Sequence, residues 1–172
     1  MAETTKKSVG LIIVTHDKEG RPVAVLQRRG RRNHEKDWEP ESRPGGCQAS
    51  VHGGLEADET YEKALYRETT EELGEDFADM FLDQQSPLEY LTLIVDENGV
   101  QTFARFIARE HLSRIRWGPS SAGADFVYLE DVPKIQNLCD FDKNEGVTDS
   151  RIIAMFPDEK KAVEIALSLF TD

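Results

Sequence analysis

Short apolar stretches near the start of the chain predict a pair of strands. Residues 9–15 are apolar and rich in β-branched side chains, which is typical of a buried strand. Residues 17–20 read Asp-Lys-Glu-Gly, a turn sequence, and residues 22–28 predict a second strand, so the two should form a hairpin. The polar residues 29–46 predict a long loop. Residues 47–52 predict a further short strand.

Helical periodicity occurs in two places. Residues 60–73 predict a helix, which Asp58 or Thr60 can cap at its start and Gly74 can end. Residues 158–170 predict a second amphipathic helix, because their aliphatic side chains recur at helical spacing. Both helices should therefore bury one face against other elements.

The middle of the chain again has the pattern of strands. Residues 88–95 and 100–108 flank Asn98 and Gly99, and an Asn-Gly pair is a strong hairpin signal. Residues 125–129 predict one more strand. Strands thus dominate the front and middle of the chain with two helices inserted, which predicts an α+β or mixed α/β sandwich.

The length of the chain and its two cysteines indicate the number of domains and the cellular compartment. The chain has 172 residues with no repeat or linker, so we expect residues 8–172 to form one domain after a flexible stretch of residues 1–7. The first ten residues lack the apolar segment of a secretory signal, and no early apolar run is long enough to cross a membrane. Cys47 and Cys139 make no disulfide framework. These features predict a cytoplasmic protein without a membrane partner.

The charge balance narrows the class of partner. The formal net charge is −12, which argues against a nucleic-acid polymer, because phosphate backbones need clustered Lys and Arg. An acidic protein can still bind a small phosphorylated molecule if a divalent cation lies between the two sets of negative charge.

Three glutamates on the first predicted helix could hold such a cation. Glu68, Glu71 and Glu72 lie at positions i, i+3 and i+4, so their carboxylates share one helix face. Arg67 can neutralise only part of this charge. Mg²⁺ prefers oxygen ligands and commonly shares its coordination shell with substrate phosphates. The alternative is a solvated acidic helix surface without a ligand.

A longer spacing around these glutamates is more specific. Gly53 is followed by five residues, Glu59, seven residues, Arg67 and Glu68, two residues, Glu71 and Glu72, one residue and Gly74. This resembles the Nudix box, G-x5-E-x7-R-E-U-x-E-E-x-G-U with U apolar, and all seven fixed positions match. Thr69 and Glu75 depart from the apolar positions. Residues 44–46, Pro-Gly-Gly, do not start the box, because counting from Gly46 places His52 where a glutamate is required.

The resemblance implies a fold, an activity and a set of site residues. The fold is an α/β/α sandwich around a mixed sheet. The activity is Mg²⁺-dependent hydrolysis, with Mn²⁺ as a possible substitute, of a diphosphate bond in a nucleoside diphosphate linked to another group. The implied metal ligands are the Gly53 carbonyl and the carboxylates of Glu68, Glu71 and Glu72. Glu71 and Glu72 are the implied catalytic glutamates, and Arg67 and Glu59 orient them through an ion pair.

Residues outside the box complete the prediction. Arg28 and Arg29 end a predicted strand and are candidates for contact with a substrate phosphate. Glu110 and Asp125 are later acidic candidates for a general base. The sequence leaves open the oligomeric state, including a homodimer.

Two other functions stay open at this stage. Isopentenyl diphosphate isomerases share the fold and use a cysteine near the position of Cys47, although they depart from the intact box. A binding module that senses a nucleotide without cleaving it is the other alternative. Aromatic and histidine side chains give no specific signal and are interpreted as packing or surface residues: Trp38, Trp117, His16, His34 and His52.

Overall fold

The computed structural model describes residues 6–82 and 91–171. The strands of this part are β1 Ser8–His16, β2 Pro22–Arg29, β3 Arg32–Asn33, β4 Glu39–Pro40, β5 Cys47–Gln48, β6 Val51–Gly54, β7 Thr92–Glu97, β8 Val100–Phe106, β9 Ser121–Val127, β10 Gln136–Asn137 and β11 Ala154–Met155. Its α-helices are α1 Tyr61–Leu73, α2 Glu75–Phe81 and α3 Pro157–Leu169. Short 3₁₀ turns cover His34–Lys36, Arg109–Arg114, Leu129–Lys134 and Leu138–Asp140.

A mixed sheet forms the centre of the molecule. Its strand order is β5-β2-β1-β8-β7, with β6 also paired to β1 and β9 also paired to β2. Strand β1 runs antiparallel to β2 and β6 and parallel to β8, where Leu11 pairs with Phe103. Two smaller pairs, β3 with β4 and β10 with β11, lie outside this sheet.

The alternation of side chains along β1 divides the core into two layers. Val9, Leu11 and Ile13 pack in the cluster that contains the apolar residues of α1 and α2. Ile12 and Val14 point to the opposite face and pack in the cluster that contains α3. Helices therefore cover both faces of the sheet, and the predicted α/β/α sandwich around a mixed sheet is confirmed.

The helix that carries the box begins and ends where the sequence predicts. Thr60 caps α1, and its hydroxyl accepts a hydrogen bond from the Lys63 amide at 3.3 Å. Gly74 ends α1 with a φ of 96°, a left-handed conformation that favours glycine. The short helix α2 begins at Glu75, one of the two departures from the apolar box positions, and it was not predicted because seven residues show little periodicity.

Other predicted elements change in detail. Residues 47–52 were expected to be one strand, but β5 and β6 are separated at Ala49 and Ser50. The Ser50 hydroxyl accepts from the Ile13 amide at 2.8 Å and donates to the Val25 carbonyl, so a side chain takes the place of ladder bonds.

The predicted hairpin and the last strand are also present. The expected hairpin is β7 and β8, and both Asn98 and Gly99 have positive φ at its turn. Residues 88–90 of its first predicted strand lie outside the described residues, as do residues 1–5 of the predicted flexible stretch. The strand expected at residues 125–129 is the end of β9. Among residues 6–82 and 91–171, no helix has the length and apolar character needed to cross a membrane.

Candidate active site

The three glutamates of α1 occupy different environments on one helix face. Glu68 is buried, Glu72 is partly buried and Glu71 is exposed. One cleft is lined by these three carboxylates and also by Lys6, Arg29 and Lys36. The acidic face of α1 that the sequence predicts therefore lines an open cleft that contains both carboxylates and cationic side chains.

Gly53, at the end of β6, makes room for the first of these carboxylates. A Cβ atom placed on Gly53 would lie 1.8 Å from the Cδ atom of Glu68, far inside van der Waals contact. Only glycine leaves the space that the Glu68 carboxyl group fills. The first and fourth fixed positions of the box are thus coupled by direct packing, which brings the Gly53 backbone beside the acidic face.

Arg67 connects the glutamates of the box. Its guanidinium donates to both carboxylate oxygens of Glu59, at 3.0 Å and 2.9 Å, and to Glu68 Oε1 at 2.8 Å. It also donates to the Gly54 carbonyl at 2.9 Å and to Glu71 at 3.4 Å. The hydrogen bond from Arg67 lowers the pKa of Glu59. Arg67 thus links Glu59 to Glu68 and Glu71, and these are contacts that the orienting role implied by the resemblance would need.

Burial sets the protonation of the inner glutamates. Desolvation raises the pKa of Glu68 to about 7, against the opposing effect of Arg67. Desolvation also raises the pKa of Glu72 well above its usual value, although its Oε2 accepts from the His52 amide at 2.9 Å. Gln48 Nε2 contacts the other oxygen of Glu72 at 3.3 Å. A cation bound beside Glu68 and Glu72 would stabilise their charged carboxylate forms and so oppose the effect of burial on both pKa values.

A fourth carboxylate, absent from the sequence prediction, joins this group. Oxygens of Glu35, Glu68 and Glu71 all lie within 4.8 Å of one another. Glu35 belongs to the 3₁₀ turn His34–Lys36 in the long loop after β2. No spacing relation to the box could have indicated it, because only the folding of that loop brings it to α1. Oxygen-rich groups of this kind suit Mg²⁺ or Mn²⁺, so the residues present fit the divalent cation that the box implies.

Residues 116–118, which precede β9, hydrogen-bond to the end of α1. The sequence did not indicate this contact. The amide of Arg116 donates to the Leu73 carbonyl at 2.8 Å, and that of Gly118 donates to the Glu72 carbonyl at 2.9 Å. These bonds satisfy carbonyl groups that a helix end otherwise leaves without partners. The segment therefore holds the turn of α1 that carries Glu71 and Glu72.

The two predicted phosphate ligands lie in different places. Arg29 lines the cleft, where its Nη2 pairs with Glu41 at 2.7 Å. The guanidinium of Arg28 instead binds both oxygens of Asp125, at 2.7 Å and 3.0 Å. It also donates to the Gly45 carbonyl at 2.7 Å. The structure thus brings Arg29 to the site and does not bring Arg28.

We expect Arg28→Ala to lower the free energy of unfolding by about 3 kcal/mol, because it leaves Asp125 without its partner in a largely buried ion pair. The side chains of Arg28 and Asp125 are only 12% and 21% exposed. Urea unfolding measures the effect. The control is Arg31→Ala, an exposed position in the same segment, which should change stability by less than about 0.5 kcal/mol. Wild-type stability together with a raised KM would instead make Arg28 a substrate ligand.

The remaining candidates, Glu110, Asp125 and Cys47, do not line the cleft. The Asp125 carboxylate is engaged by Arg28, and Glu110 lies in the 3₁₀ turn Arg109–Arg114 and does not line the cleft described above. Burial raises the pKa of the Cys47 thiol to about 12. Because the Cys47 side chain is fully buried and outside the cleft, the isomerase alternative gains no support.

Aromatic and histidine side chains occupy mixed positions. Trp38 is 55% exposed, whereas Trp117 packs at the edge of the core cluster beneath α1. His34 and His52 line the cleft. The ring of His16 contacts that of Phe106, with centroids 4.6 Å apart and an interplanar angle of 56°.

A mixed sheet covered by helices on both faces, with the box helix facing a cleft, is the fold that the resemblance to the Nudix box implies. The chain belongs to the Nudix family, since the NUDIX domain family model matches residues 4–148. A search of curated proteins gives no significant match.

Two solved structures support the same fold, and a third has a lower similarity. A mutT/nudix family protein from Listeria innocua is 18% identical, with a TM-score of 0.57 and coverage of 95% of this chain and 92% of that one. The NUDIX domain of Shewanella oneidensis NrtR, crystallised with ADP ribose, is 13% identical, with a TM-score of 0.51 and coverage of 98% and 90%. A MutT/nudix family protein from Enterococcus faecalis is 16% identical, with a TM-score of 0.47 over 74% of this chain. The match spans only 45% of the length of that last protein.

Proposed function

We propose that this chain is a divalent-metal-dependent hydrolase that cleaves a diphosphate bond in a nucleoside diphosphate linked to another group. The single observation that carries the proposal is the packing of the Glu68 carboxyl group into the space beside Gly53, next to Glu71 and Glu72. That arrangement supports the proposal because it brings carboxylates of the box to one cleft that also contains cationic side chains. Mg²⁺ is the preferred cation, and Mn²⁺ is the expected substitute.

The residues of the chain divide the work at this site. Glu68, Glu71 and Glu72, with the Gly53 carbonyl, would hold the metal. When bound, the cation would supply neutralisation of the diphosphate oxygens and activation of water for attack on phosphorus. Arg67 fixes the orientation of Glu68 and Glu71, and the His52 amide fixes that of Glu72. Rigid placement of this kind lowers the reorganisation needed at the transition state.

The cationic side chains of the cleft would receive the substrate phosphates. Lys6, Arg29 and Lys36 line the same cleft as the glutamates. Among the described residues, the Arg29 side chain donates one hydrogen bond, from Nη2 to Glu41 at 2.7 Å, so its Nη1 group keeps donor capacity for a phosphate oxygen. The cleft also contains Glu35 and Glu41, so carboxylates outnumber these cationic side chains, and a bound cation would supply the remaining positive charge toward the phosphates.

The decisive experiment is a substrate panel with product analysis. Dinucleoside polyphosphates, nucleoside-diphosphate sugars, ADP ribose and oxidised nucleoside triphosphates are incubated with the protein and Mg²⁺ or Mn²⁺, with EDTA as the control. Cleavage of any diphosphate that EDTA abolishes supports the proposal, and ¹⁸O-labelled water then identifies the phosphorus attacked. Tight binding without product contradicts it and favours the nucleotide-sensing alternative, and a complete lack of binding also contradicts it.

Arg29→Gln should raise KM about tenfold with little change in kcat, because a charge-assisted contact to the ground-state phosphate is lost. Steady-state kinetics on the best panel substrate measures this. Arg32→Gln is the matched control: Arg32 is exposed and its Nη1 contacts only the Trp38 carbonyl, at 3.3 Å, among the described residues. Equal KM values for both variants would remove Arg29 from the binding site.

A further inference from the structure

Two glutamine side chains lie next to each other in the cleft. Gln27 of β2 is paired with Gln48 of β5 in the antiparallel ladder, so both side chains point to the same face of the sheet. Both residues line the cleft that contains Glu72. Gln27 is only 4% exposed, and Gln48 is partly buried. The two amide groups are therefore part of the packed sheet and are not long side chains that move freely in solvent.

Contacts with Glu72 and between the two amides determine which way each amide group is turned. Gln48 Nε2 donates to Gln27 Oε1 at 2.6 Å and to Glu72 Oε1 at 3.3 Å. The opposite orientation of the Gln48 amide would bring its oxygen against the Glu72 carboxyl oxygen that the nitrogen now contacts. The Gln48 nitrogen therefore faces Glu72 and uses both of its hydrogens, and the orientation of Gln27 follows from that of Gln48.

One donor group and one acceptor of this pair have no partner in the protein. In the part of the chain that the structure describes, no group hydrogen-bonds to Gln27 Nε2 or to Gln48 Oε1. The cleft is the open space that both residues line. A molecule held in the cleft can therefore accept from Gln27 and donate to Gln48.

The combination of a donor and an acceptor selects the chemistry of the ligand. A phosphate group at neutral pH offers acceptors only, so it would leave the Gln48 oxygen without a donor. The edge of a nucleobase carries a donor beside an acceptor, and glutamine amides bind such edges through paired hydrogen bonds. The cleft also contains the His34 ring, whose Nδ1 contacts the Ser120 hydroxyl at 2.7 Å, and aromatic rings stack on bases. These features favour a base over a sugar hydroxyl, which has no flat face.

We propose that Gln27 and Gln48 bind the hydrogen-bonding edge of the substrate's nucleobase and so determine which base is accepted. The inference rests on the proposed function, because it takes the substrate to be a nucleoside diphosphate derivative bound in this cleft. Gln27 Nε2 donates to the base and Gln48 Oε1 accepts from it. Because Gln48 also contacts Glu72, the base and the diphosphate would occupy neighbouring parts of one cleft.

The test compares binding of ligands with and without a base. The probes are the α,β-methylene analogues of ADP, GDP, CDP and UDP, which resist cleavage at the bridging position, and the same analogue of ribose 5-diphosphate, which has no base. Isothermal titration calorimetry with Mg²⁺ gives each Kd. Wild type should bind one nucleotide at least about tenfold more tightly than the probe without a base. Gln27→Met should reduce that preference to about twofold or less, because the contacts to the base edge are lost.

Gln101→Met is the matched control. Gln101 also lies on a strand of the sheet, β8, but it does not line the cleft, so the same substitution there should leave the preference for the base unchanged. Thermal unfolding checks that each variant is folded. If Gln27→Met does not fold, Gln27→Glu is used, because it keeps the oxygen that accepts from Gln48 and replaces only the donor. Its added charge acts equally on both kinds of probe, which carry the same phosphates, so the ratio of their Kd values still tests the inference.

The outcomes separate this inference from the function on which it rests. A wild-type protein that binds the probe without a base as tightly as every nucleotide would overturn the role of the two glutamines. An equal loss of affinity for all probes in Gln27→Met would assign the pair to the sugar or the phosphates and would also overturn it. Failure of the substrate panel to give any product would contradict the proposed function, whatever the ratio of the Kd values.

Discussion

The Glu72→Gln protein should fold normally and lose at least about 100-fold in kcat/KM. Changes in groups that only orient metal ligands commonly cost about 10–100-fold, so loss of a direct ligand should cost no less. Glutamine keeps an oxygen to accept from the His52 amide, so the local structure is retained while the charge is removed. The measurement is turnover of the best panel substrate at saturating Mg²⁺. Activity within a few-fold of wild type would contradict the role of Glu72.

The pH dependence of the Tm of Glu72→Gln distinguishes loss of the charge from damage to the local structure. Burial raises the pKa of Glu72 in the folded protein, so the unfolded chain loses its proton at lower pH than the folded one. Without metal, the stability of the wild-type protein therefore falls as the pH rises above 4.5, the ordinary pKa of a glutamate. The glutamine variant is neutral at this position and does not lose stability in this way. In EDTA at about pH 8, Glu72→Gln should have the higher Tm, and at about pH 4 the difference should vanish. A lower Tm at both values would indicate structural damage.

Gly53→Ala should abolish metal-dependent activity and destabilise the fold by about 1–3 kcal/mol, the usual cost of overpacking. The added methyl group would lie 1.8 Å from Glu68 Cδ, so the carboxyl group must leave its position. Because Glu68 also binds Arg67, this movement disturbs the ion-pair network behind the site. Mn²⁺ titration and urea unfolding measure the two effects.

Gly54→Ala provides an adjacent control for this prediction. A Cβ atom on Gly54 would meet its nearest neighbour, the Cε atom of Lys6, at 3.3 Å, and that flexible side chain can move away. The Gly54 carbonyl that accepts from Arg67 is retained. Stability and Mn²⁺ binding close to wild type are therefore expected. If Gly53→Ala and Gly54→Ala lost stability and Mn²⁺ binding equally, the packing of Gly53 against Glu68 would not explain the effect. Any side chain added at this end of the strand would then be harmful.

Local regularity made most of the fold predictable. The apolar residues of β1 and β2, the Asn98-Gly99 turn and the cap at Thr60 each act over a few residues, so their structural effect can be inferred from a short window. The acidic face of α1 is equally local, because helix geometry alone brings positions i, i+3 and i+4 together. Helix α2 and the break between β5 and β6 escaped prediction, since the first is too short for periodicity and the second depends on Ser50 bonding to other strands.

The candidate site was predictable only along the box. Arg28 shows why a residue type and a strand end are insufficient: its partner Asp125 lies 97 residues away in sequence, and that pairing takes up the charge that was predicted to meet a phosphate. Glu35 shows the reverse case. It lies in a polar loop with no distinguishing neighbours, and the folding of that loop, in which His34 bonds to Ser120, brings its carboxylate near those of α1.

The helix, the spacing of its carboxylates and the glycine before it can be inferred from one stretch of residues, because they depend on local backbone geometry. Which carboxylates are buried, which arginine lines the cleft and which loop residue lies near the glutamates became clear only from the folded chain. Those properties depend on contacts between segments distant in sequence. Burial and long-range pairing set the energies of charged groups, and neither is encoded in local spacing.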